Sequence, residues 1–180
     1  SYQLNLEDYA AVWDEWDPSW RTVYGADLVT APEKGIQRLF GDERYLLSAW
    51  VLSEAMARLG APAYRYYLDV QGPEGLPLNG SPHGFDGFLL FESKVVSPGS
   101  DWDAWGDQLR CAWIEFARSG VPCALDAGVE PWQPVDESSQ WHRLGSASSI
   151  SDQALSKRLA RLLSRYHHRC HEDSSQHRTS

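Results

Sequence analysis

The sequence predicts an α/β fold that is rich in helices and has few strands. Apolar residues recur every three or four positions over Glu43–Leu59 and Asp101–Arg118, which is the period of an amphipathic helix. The segment Ala63–Val70 is almost continuously apolar or aromatic, as expected of a strand covered on both faces. The 180 residues are 42% hydrophobic, so we expect one globular domain or a part of a larger one.

The chain opens with a predicted acidic helix over Leu4–Trp16. Trp13, Trp16 and Trp20 have the spacing of one helical face. Pro18 lies among them, and a proline inside a helix removes a backbone hydrogen bond and clashes with the preceding turn. We therefore expect the first helix to end before Trp20.

The remaining elements are predicted from the spacing of apolar residues and from the glycines and prolines that interrupt it. They are a helix at Ala31–Phe40, a helix at Glu43–Leu59, a strand at Ala63–Val70, a loop at Gly72–Gly87, a short apolar segment at Phe88–Phe91, a helix at Asp101–Arg118, an extended segment at Glu130–Pro134, a short edge strand at Trp141–Leu144 and a basic helix at Asp152–Tyr166. The polar tail at 167–180 is predicted to be disordered.

Charge and hydropathy narrow the classes of partner. The net charge of −9 and the pI of about 5.0 disfavour nucleic acid, because an acidic surface repels phosphates. No apolar run approaches the roughly 20 residues that span a bilayer. The first residues do not form a signal peptide, and the missing initiator Met suggests that an upstream piece was removed or left out. We expect a cytoplasmic protein, or a secreted one if an N-terminal portion is missing.

The three cysteines, Cys111, Cys123 and Cys170, do not form the evenly numbered pattern of a disulfide framework. Cys111 falls within a predicted helix, where a free thiol usually behaves as a small apolar side chain. A reduced protein is therefore one interpretation. A Cys111–Cys123 bridge in an exported protein is the other.

His83 is the candidate catalytic residue, because it lies on a Gly- and Pro-rich loop that follows a strand. Many hydrolases present a general base in this way. Ser81 is two residues away, but it is not on a strand-to-helix elbow, so we do not expect it to be the nucleophile. Glu74 and Asp86 could orient His83, although a short acidic side chain more often bonds the backbone of its own loop.

Several motifs in order resemble the C-terminal part of the type-B carboxylesterases, the α/β-hydrolase group that includes the cholinesterases. The resemblance covers roughly Gly41 to Asp152 and rests on Ala61–Tyr67, His83–Asp86, Phe88–Phe91, Trp113–Pro122 and Pro131–Asp136. It implies that residues 1–166 are the C-terminal segment of an α/β-hydrolase domain. It also implies that His83 is the general base of a Ser–His–Glu triad and that Asp86 is a structural orienter.

The other parts of such an enzyme are not found in this sequence. No Gly-x-Ser-x-Gly pentapeptide occurs, the triad glutamate would precede the first residue, and the glycine-rich oxyanion segment is missing. We therefore expect the chain to be inactive alone and to act on small ester substrates only when an N-terminal segment completes it. The alternative is a non-catalytic interaction module that binds a protein partner at an exposed sheet edge.

Three other clusters of residues are interpreted as ordinary structural features without a function. His167, His168, Cys170 and His171 could bind a metal, but a frayed polar tail is favoured, and no metal or cofactor is predicted. The basic residues of the last helix, Lys157, Arg158, Arg161 and Arg165, are expected to face solvent. The stripe of Trp102, Trp105 and Trp113 is expected to be core.

Overall fold

The computed structural model describes residues 6–70, 81, 83–91, 100–123, 131–136, 141–145 and 152–176. The chain divides into two compact units. The first comprises Ser1–Trp50 and Gln153–Ser180, and the second comprises Val51–Asp152. The described part is helix-rich and contains one pair of parallel strands, which agrees with the predicted helix-rich α/β character. None of the helices in these ranges is long and apolar enough to cross a membrane.

The first unit is built from helices. They are α1 (Leu6–Trp16), α2 (Trp20–Val23), α3 (Gly25–Thr30), α4 (Pro32–Gly41), a π-helical turn (Asp42–Leu46), the start of α5 (Leu47–Arg58) and α8 (Asp152–Gln176). The predicted break at Pro18 is confirmed, because α1 ends at Trp16 and α2 begins at Trp20. The predicted helix at Ala31–Phe40 is confirmed as α4, which starts with Pro32 at its first position, where a missing N–H costs nothing.

A buried ion pair lies in the core of this unit. Arg158 Nε is 2.8 Å from the carboxylate of Asp42, and both side chains are almost fully buried. The hydroxyl of Tyr24 donates to the same carboxylate at 2.8 Å. Burial raises the pKa of Asp42 and the Arg158 guanidinium lowers it. Because arginine stays protonated, a neutral Asp42 would leave a buried cation uncompensated, so we take the pair as ionised.

The prediction of a solvated basic face on the last helix was wrong for Arg158 and Arg165, while Lys157 and Arg161 are exposed as expected. Arg158 pairs with Asp42, Arg161 contacts Asp17 and Ser19, and Arg165 donates to the backbone carbonyl of Trp16. The apolar side of the same helix is buried through Leu155, Leu159 and Leu162. Both faces of α8 are therefore used in the first unit, and the helix continues to Gln176 instead of ending at Tyr166.

The second unit contains the rest of α5, strand β1 (Tyr66–Asp69), helix α6 (Phe85–Leu90), helix α7 (Asp101–Ser119) and strand β2 (His142–Gly145). Its core contains Val70, Phe85, Leu89, Leu109, Ala112, Trp132 and Leu144. Helix α7 is confirmed as predicted: Ser100 Oγ accepts from the backbone N–H of Asp103 at its start, and Gly120, with a φ of +81°, ends it.

A loop was predicted at Gly72–Gly87, and the prediction was wrong for its last three residues, which belong to a helix. Residues 71–80 and Pro82 lie outside the described residues, but Phe85–Leu90 is the helix α6. Gly84 precedes it with a φ of +77°, a conformation that favours glycine. Phe85 and Leu89 are four residues apart and both are buried in the unit's core. Burial of these two side chains on one helical face explains why this short segment is helical.

The predicted strand at Ala63–Val70 is present but shorter, the one at Trp141–Leu144 is displaced by one residue, and the two strands pair with each other. Strand β1 is parallel to β2, with Tyr66 opposite His142 and Asp69 opposite Gly145. The expectation that Ala63–Val70 is buried on both faces was wrong, because every residue of β1 is half-buried. The flanking residues are also hydrogen-bonded: Val135 N donates to Ala63 O at 2.8 Å, and His142 N donates to Arg65 O at 3.0 Å.

A disulfide joins Cys111 and Cys123, whose Cα atoms are 6.0 Å apart. The interpretation that treats Cys111 as a free thiol was therefore wrong. The bond connects the middle of α7 with the segment that follows its C-terminal glycine. The side chain of Cys170 lies outside the described part of the chain.

Large apolar side chains are exposed on the second unit. In the described ranges they are Leu52, Met56, Leu59, Phe88, Phe91, Trp113, Ile114, Phe116 and Val121. Trp102 and Trp105 pack against the core cluster, as expected. Trp113 does not, because 53% of it is exposed, so the prediction that all three tryptophans form core was wrong for this one.

Candidate functional site

The candidate site lies at the carboxyl ends of the two parallel strands. Because β1 and β2 run in the same direction with Asp69 opposite Gly145, both strands end at one edge of the sheet. In open α/β sheets, ligands bind in the crevice outside the carboxyl ends of the strands. This edge is where a site is expected in the second unit.

Ser81 attaches the loop that carries His83 to this edge. The backbone N–H of Val70 donates to Ser81 Oγ at 2.7 Å, and that hydroxyl donates to the carbonyl of Val70 at 2.8 Å. Val70 directly follows β1 and is fully buried. The hydroxyl hydrogen of Ser81 is therefore used by the backbone, which supports the prediction that Ser81 is not a nucleophile.

His83 is exposed and precedes helix α6. It is two positions after Ser81, and a chain of two residues reaches at most about 7 Å. The backbone of His83 is therefore near the carboxyl end of β1. The positive φ of Gly84 turns the chain into α6 directly after it. The side chain of His83 lies at the surface of the second unit, where a substrate or a partner could reach it.

Asp86 anchors the start of α6. Its Oδ2 accepts a hydrogen bond from the Tyr66 hydroxyl at 2.8 Å, and its Oδ1 accepts one from the backbone N–H of Gly87 at 3.0 Å. The expected bond between Asp86 and the backbone of its own segment is thus present. Burial, followed by the hydrogen bond to Asp86, raises the pKa of Tyr66 above its usual range. Glu74, the other acidic candidate, lies outside the described residues.

The sequence reasoning missed the part played by Tyr66. This residue belongs to β1, and through Asp86 it connects the strand to the helix that follows His83. The signal was the position of a tyrosine inside an apolar strand, since a buried tyrosine hydroxyl usually has a hydrogen-bond partner. Nothing in the spacing identified Asp86, twenty residues later, as that partner.

An aromatic cluster supports the same strand. The Tyr66 ring meets Trp132 edge-on with centroids 5.8 Å apart, and Trp132 stacks on His142 at 4.1 Å. Trp132 belongs to the described segment at 131–136, and His142 begins β2. Three of the segments that resemble the carboxylesterases are therefore adjacent in the second unit: the aromatic strand, the histidine loop with α6, and the Trp132 segment.

Arg65 is the buried cation of the second unit. Its Nη1 donates to Ser53 Oγ at 3.1 Å and to Glu54 Oε1 at 3.0 Å, and its guanidinium lies 4.7 Å from the centre of the Trp141 ring. These contacts link α5, the residues before β1 and those before β2. These contacts give Arg65 a structural role, because Ser53, Glu54 and Trp141 belong to the framework that holds the strands.

The described residues offer little for a metal ion or a small ligand. No group of three or more His, Cys, Asp or Glu side chains in the described residues could hold a metal ion. The side chains of His168, Cys170 and His171 lie outside these residues. A cavity of about 10 Å³ in the first unit is lined by residues that include Trp13, Trp20 and Arg165. A volume of this size holds about one water molecule and is too small for a substrate.

Comparison with models of known families and with curated proteins finds no match for this chain. The resemblance to type-B carboxylesterases therefore stays a prediction from the motifs.

Proposed function

We propose that this chain is the C-terminal segment of a carboxylic ester hydrolase and that His83 is its general base. The remaining catalytic groups would come from an N-terminal segment, in the same polypeptide or in a second one. In acyl transfer, a base accepts the proton of a serine hydroxyl and later gives it to the leaving alcohol. His83 would perform both steps. Asp86 would hold its own helix in place and would not be a member of the triad.

The observation that carries this proposal is the attachment of the His83 loop to the end of a parallel strand. Ser81 bonds both the N–H and the carbonyl of Val70, and His83 follows two positions later. The Tyr66–Asp86 hydrogen bond fixes the other side of the same turn. A base must be held at a defined position to transfer a proton. The Ser81 anchor before His83 and the Asp86 anchor after it supply such a position.

The isolated chain is expected to be inactive. In a purified sample we expect no hydrolysis of p-nitrophenyl butyrate and no serine labelled by a fluorophosphonate probe. Turnover together with a labelled serine would mean that the chain has its own nucleophile and would contradict the proposal.

Complementation tests the role of His83 directly. The chain is co-expressed with the upstream part of a type-B carboxylesterase, which supplies the serine elbow, the glutamate and the oxyanion segment. We expect ester hydrolysis that is lost in His83→Ala. The matched control is His167→Ala, since His167 is also exposed but lies on α8. A complex that hydrolyses the ester equally well with and without His83 would contradict the proposal, and so would a complex that forms but has no activity.

A non-catalytic interaction module is the second candidate function. It is favoured by the exposed apolar side chains of the second unit and by its short parallel sheet, because parallel sheets are normally extended and covered on both faces. The same complementation separates the two candidates. A module would bind the upstream segment at the sheet edge with the same affinity in His83→Ala and the unsubstituted chain, without turnover in either.

A further inference from the structure

The two halves of helix α7 differ sharply in their packing. In the first half, Gly106, Leu109 and Ala112 are buried, and Arg110 Nη1 donates to the carbonyl of Leu89 on α6 at 2.5 Å. A Cβ at Gly106 would come within 3.0 Å of the same carbonyl, so the two helices are in close contact. This half is held by its core contacts.

The second half of α7, residues 113–119, has little burial. Trp113, Ile114 and Phe116 are each about half exposed, and residues 117–119 are exposed as well. Phe116 meets the ring of Tyr64 edge-on at 5.8 Å. The last turn is closed by local bonds, from Gly120 N to Phe116 O and from Ser119 Oγ to Glu115 O. A helix end held mainly by local hydrogen bonds opens easily.

The disulfide spans this weakly packed half. Cys111 is in the last turn of the well-packed half, and Cys123 follows the helix after Gly120 and the buried Pro122. The bond therefore closes a loop that contains residues 113–119, the helix end and the turn. A covalent link supplies here the long-range restraint that apolar burial supplies in the first half.

We propose that Cys111–Cys123 is a site of reversible thiol–disulfide exchange and that its oxidation state controls the order of the second half of α7. With the bond formed, the exposed Trp113, Ile114 and Phe116 are presented on an ordered helix. With the bond broken, residues 113–123 open while the first half of α7 stays folded. The co-reactant is a dithiol.

The exchange is balanced in two steps. A thiolate of the dithiol attacks one cysteine sulfur, the S–S bond breaks, and the displaced cysteine thiolate takes a proton. The second thiol of the reductant then attacks the mixed disulfide. Both cysteines end as thiols, and the dithiol ends as its own disulfide. The protein gains two electrons and two protons, and an oxidant of the disulfide class reverses the reaction.

Hydrogen exchange measured by mass spectrometry tests the proposal on the full chain, before and after treatment with dithiothreitol. We expect amide exchange in residues 113–123 to become faster by about tenfold or more on reduction, with residues 101–112 unchanged. The double variant Cys111→Ser/Cys123→Ser should exchange like the reduced chain under both conditions. Cys170→Ser, which removes the third cysteine, should respond to dithiothreitol as the unsubstituted chain does.

Three results would overturn the proposal. One is alkylation of all three cysteines in the folded chain after air oxidation, which would mean that the bond does not form. Another is unchanged exchange at 113–123 after complete reduction. The third is a rise in exchange throughout the second unit, which would make the bond a general structural support and not a local control. Because reduction is applied to the unsubstituted protein, the test does not depend on the folding of the serine variants.

Discussion

The two units of this chain each bury a cation beside a carboxylate, but they differ in how many large apolar side chains they expose. The first unit buries an ion pair, Asp42 with Arg158, and exposes two of the large apolar side chains described for it, Val12 and Val29. Among its described residues, the second unit exposes nine large apolar side chains, and it contains a short parallel sheet and a disulfide. The first unit is thus closed by polar contacts inside a helical core. The second has a larger exposed apolar surface in its described residues, a feature that often marks an interaction site.

The largest effect is expected from breaking the ion pair of the first unit. Asp42→Ala leaves the buried Arg158 without its carboxylate, which should lower the free energy of unfolding by about 3–5 kcal/mol. Urea denaturation followed by circular dichroism measures this. The control is Asp27→Ala, because Asp27 pairs with Arg38 at a more exposed position and should cost about 1 kcal/mol or less. Equal losses of unfolding free energy in the two variants would show that burial does not make the Asp42 ion pair more important for stability than the exposed one.

A core deletion in the second unit should have the next largest effect. Leu109 is fully buried, so Leu109→Ala should cost about 2–5 kcal/mol through lost burial and the cavity that remains. Hydrogen exchange should show that residues 101–112 lose protection first. The control, Phe91→Ala, removes an exposed ring and should change stability by about 0.5 kcal/mol or less. A large effect of Phe91→Ala would mean that the exposed surface already has a partner within the chain.

Alkaline pH should weaken the first unit through Tyr24. Burial, together with Asp42, raises its pKa above the value of about 10 in the unfolded chain. The neutral tyrosine is therefore favoured in the folded state, and this contribution is complete below pH 10 and is lost as the pH rises further. For one tyrosine the loss approaches about 1.4 kcal/mol per pH unit.

Denaturation at a series of pH values between 8 and 11 measures this slope. Tyr24→Phe should reduce it, and Tyr66→Phe should reduce it in the second unit, where burial and Asp86 raise the pKa of Tyr66. An unchanged slope in Tyr24→Phe would show that other groups cause the alkaline loss.

The smallest effect on stability is expected at the exposed end of α7. Trp113→Ser with Phe116→Ser should lower the free energy of unfolding by about 1 kcal/mol, since both side chains are about half exposed and Phe116 still contacts Tyr64. The same variant should bind less of a hydrophobic dye and should self-associate less in sedimentation velocity experiments. A matched change at Val12 and Val29 of the first unit should leave both readouts unchanged. If self-association persists in the Trp113 variant, the apolar surface of the second unit lies elsewhere.

Sequence reasoning was strongest for the helices with a regular apolar period. The helix predicted at Asp101–Arg118 agrees with α7 to within one residue, and the predicted break at Pro18 lies between α1 and α2. It was weaker where long-range packing decides the outcome. The helix Phe85–Leu90 has only six residues, too few for its own period to distinguish it from a loop.

For the candidate site, the sequence provided His83 and Asp86 but not their surroundings. The bonds from Ser81 to Val70 and from Tyr66 to Asp86 join residues eleven and twenty positions apart, and no periodic pattern encodes such pairs. The burial of Arg158 was missed for the same reason. Its carboxylate partner is 116 positions away, and a basic residue on an amphipathic helix normally faces solvent.

The sequence by itself determined the approximate bounds of the helices α1, α4 and α7, the presence of a strand before His83, and the acidic character of the chain. These properties depend on local steric preferences, on the spacing of apolar residues and on composition. The tertiary structure decided which arginines are buried, which tryptophan is exposed, how the strands pair and which cysteines are joined. Each of these depends on which distant segments meet, because burial and pairing are properties of two surfaces and not of one.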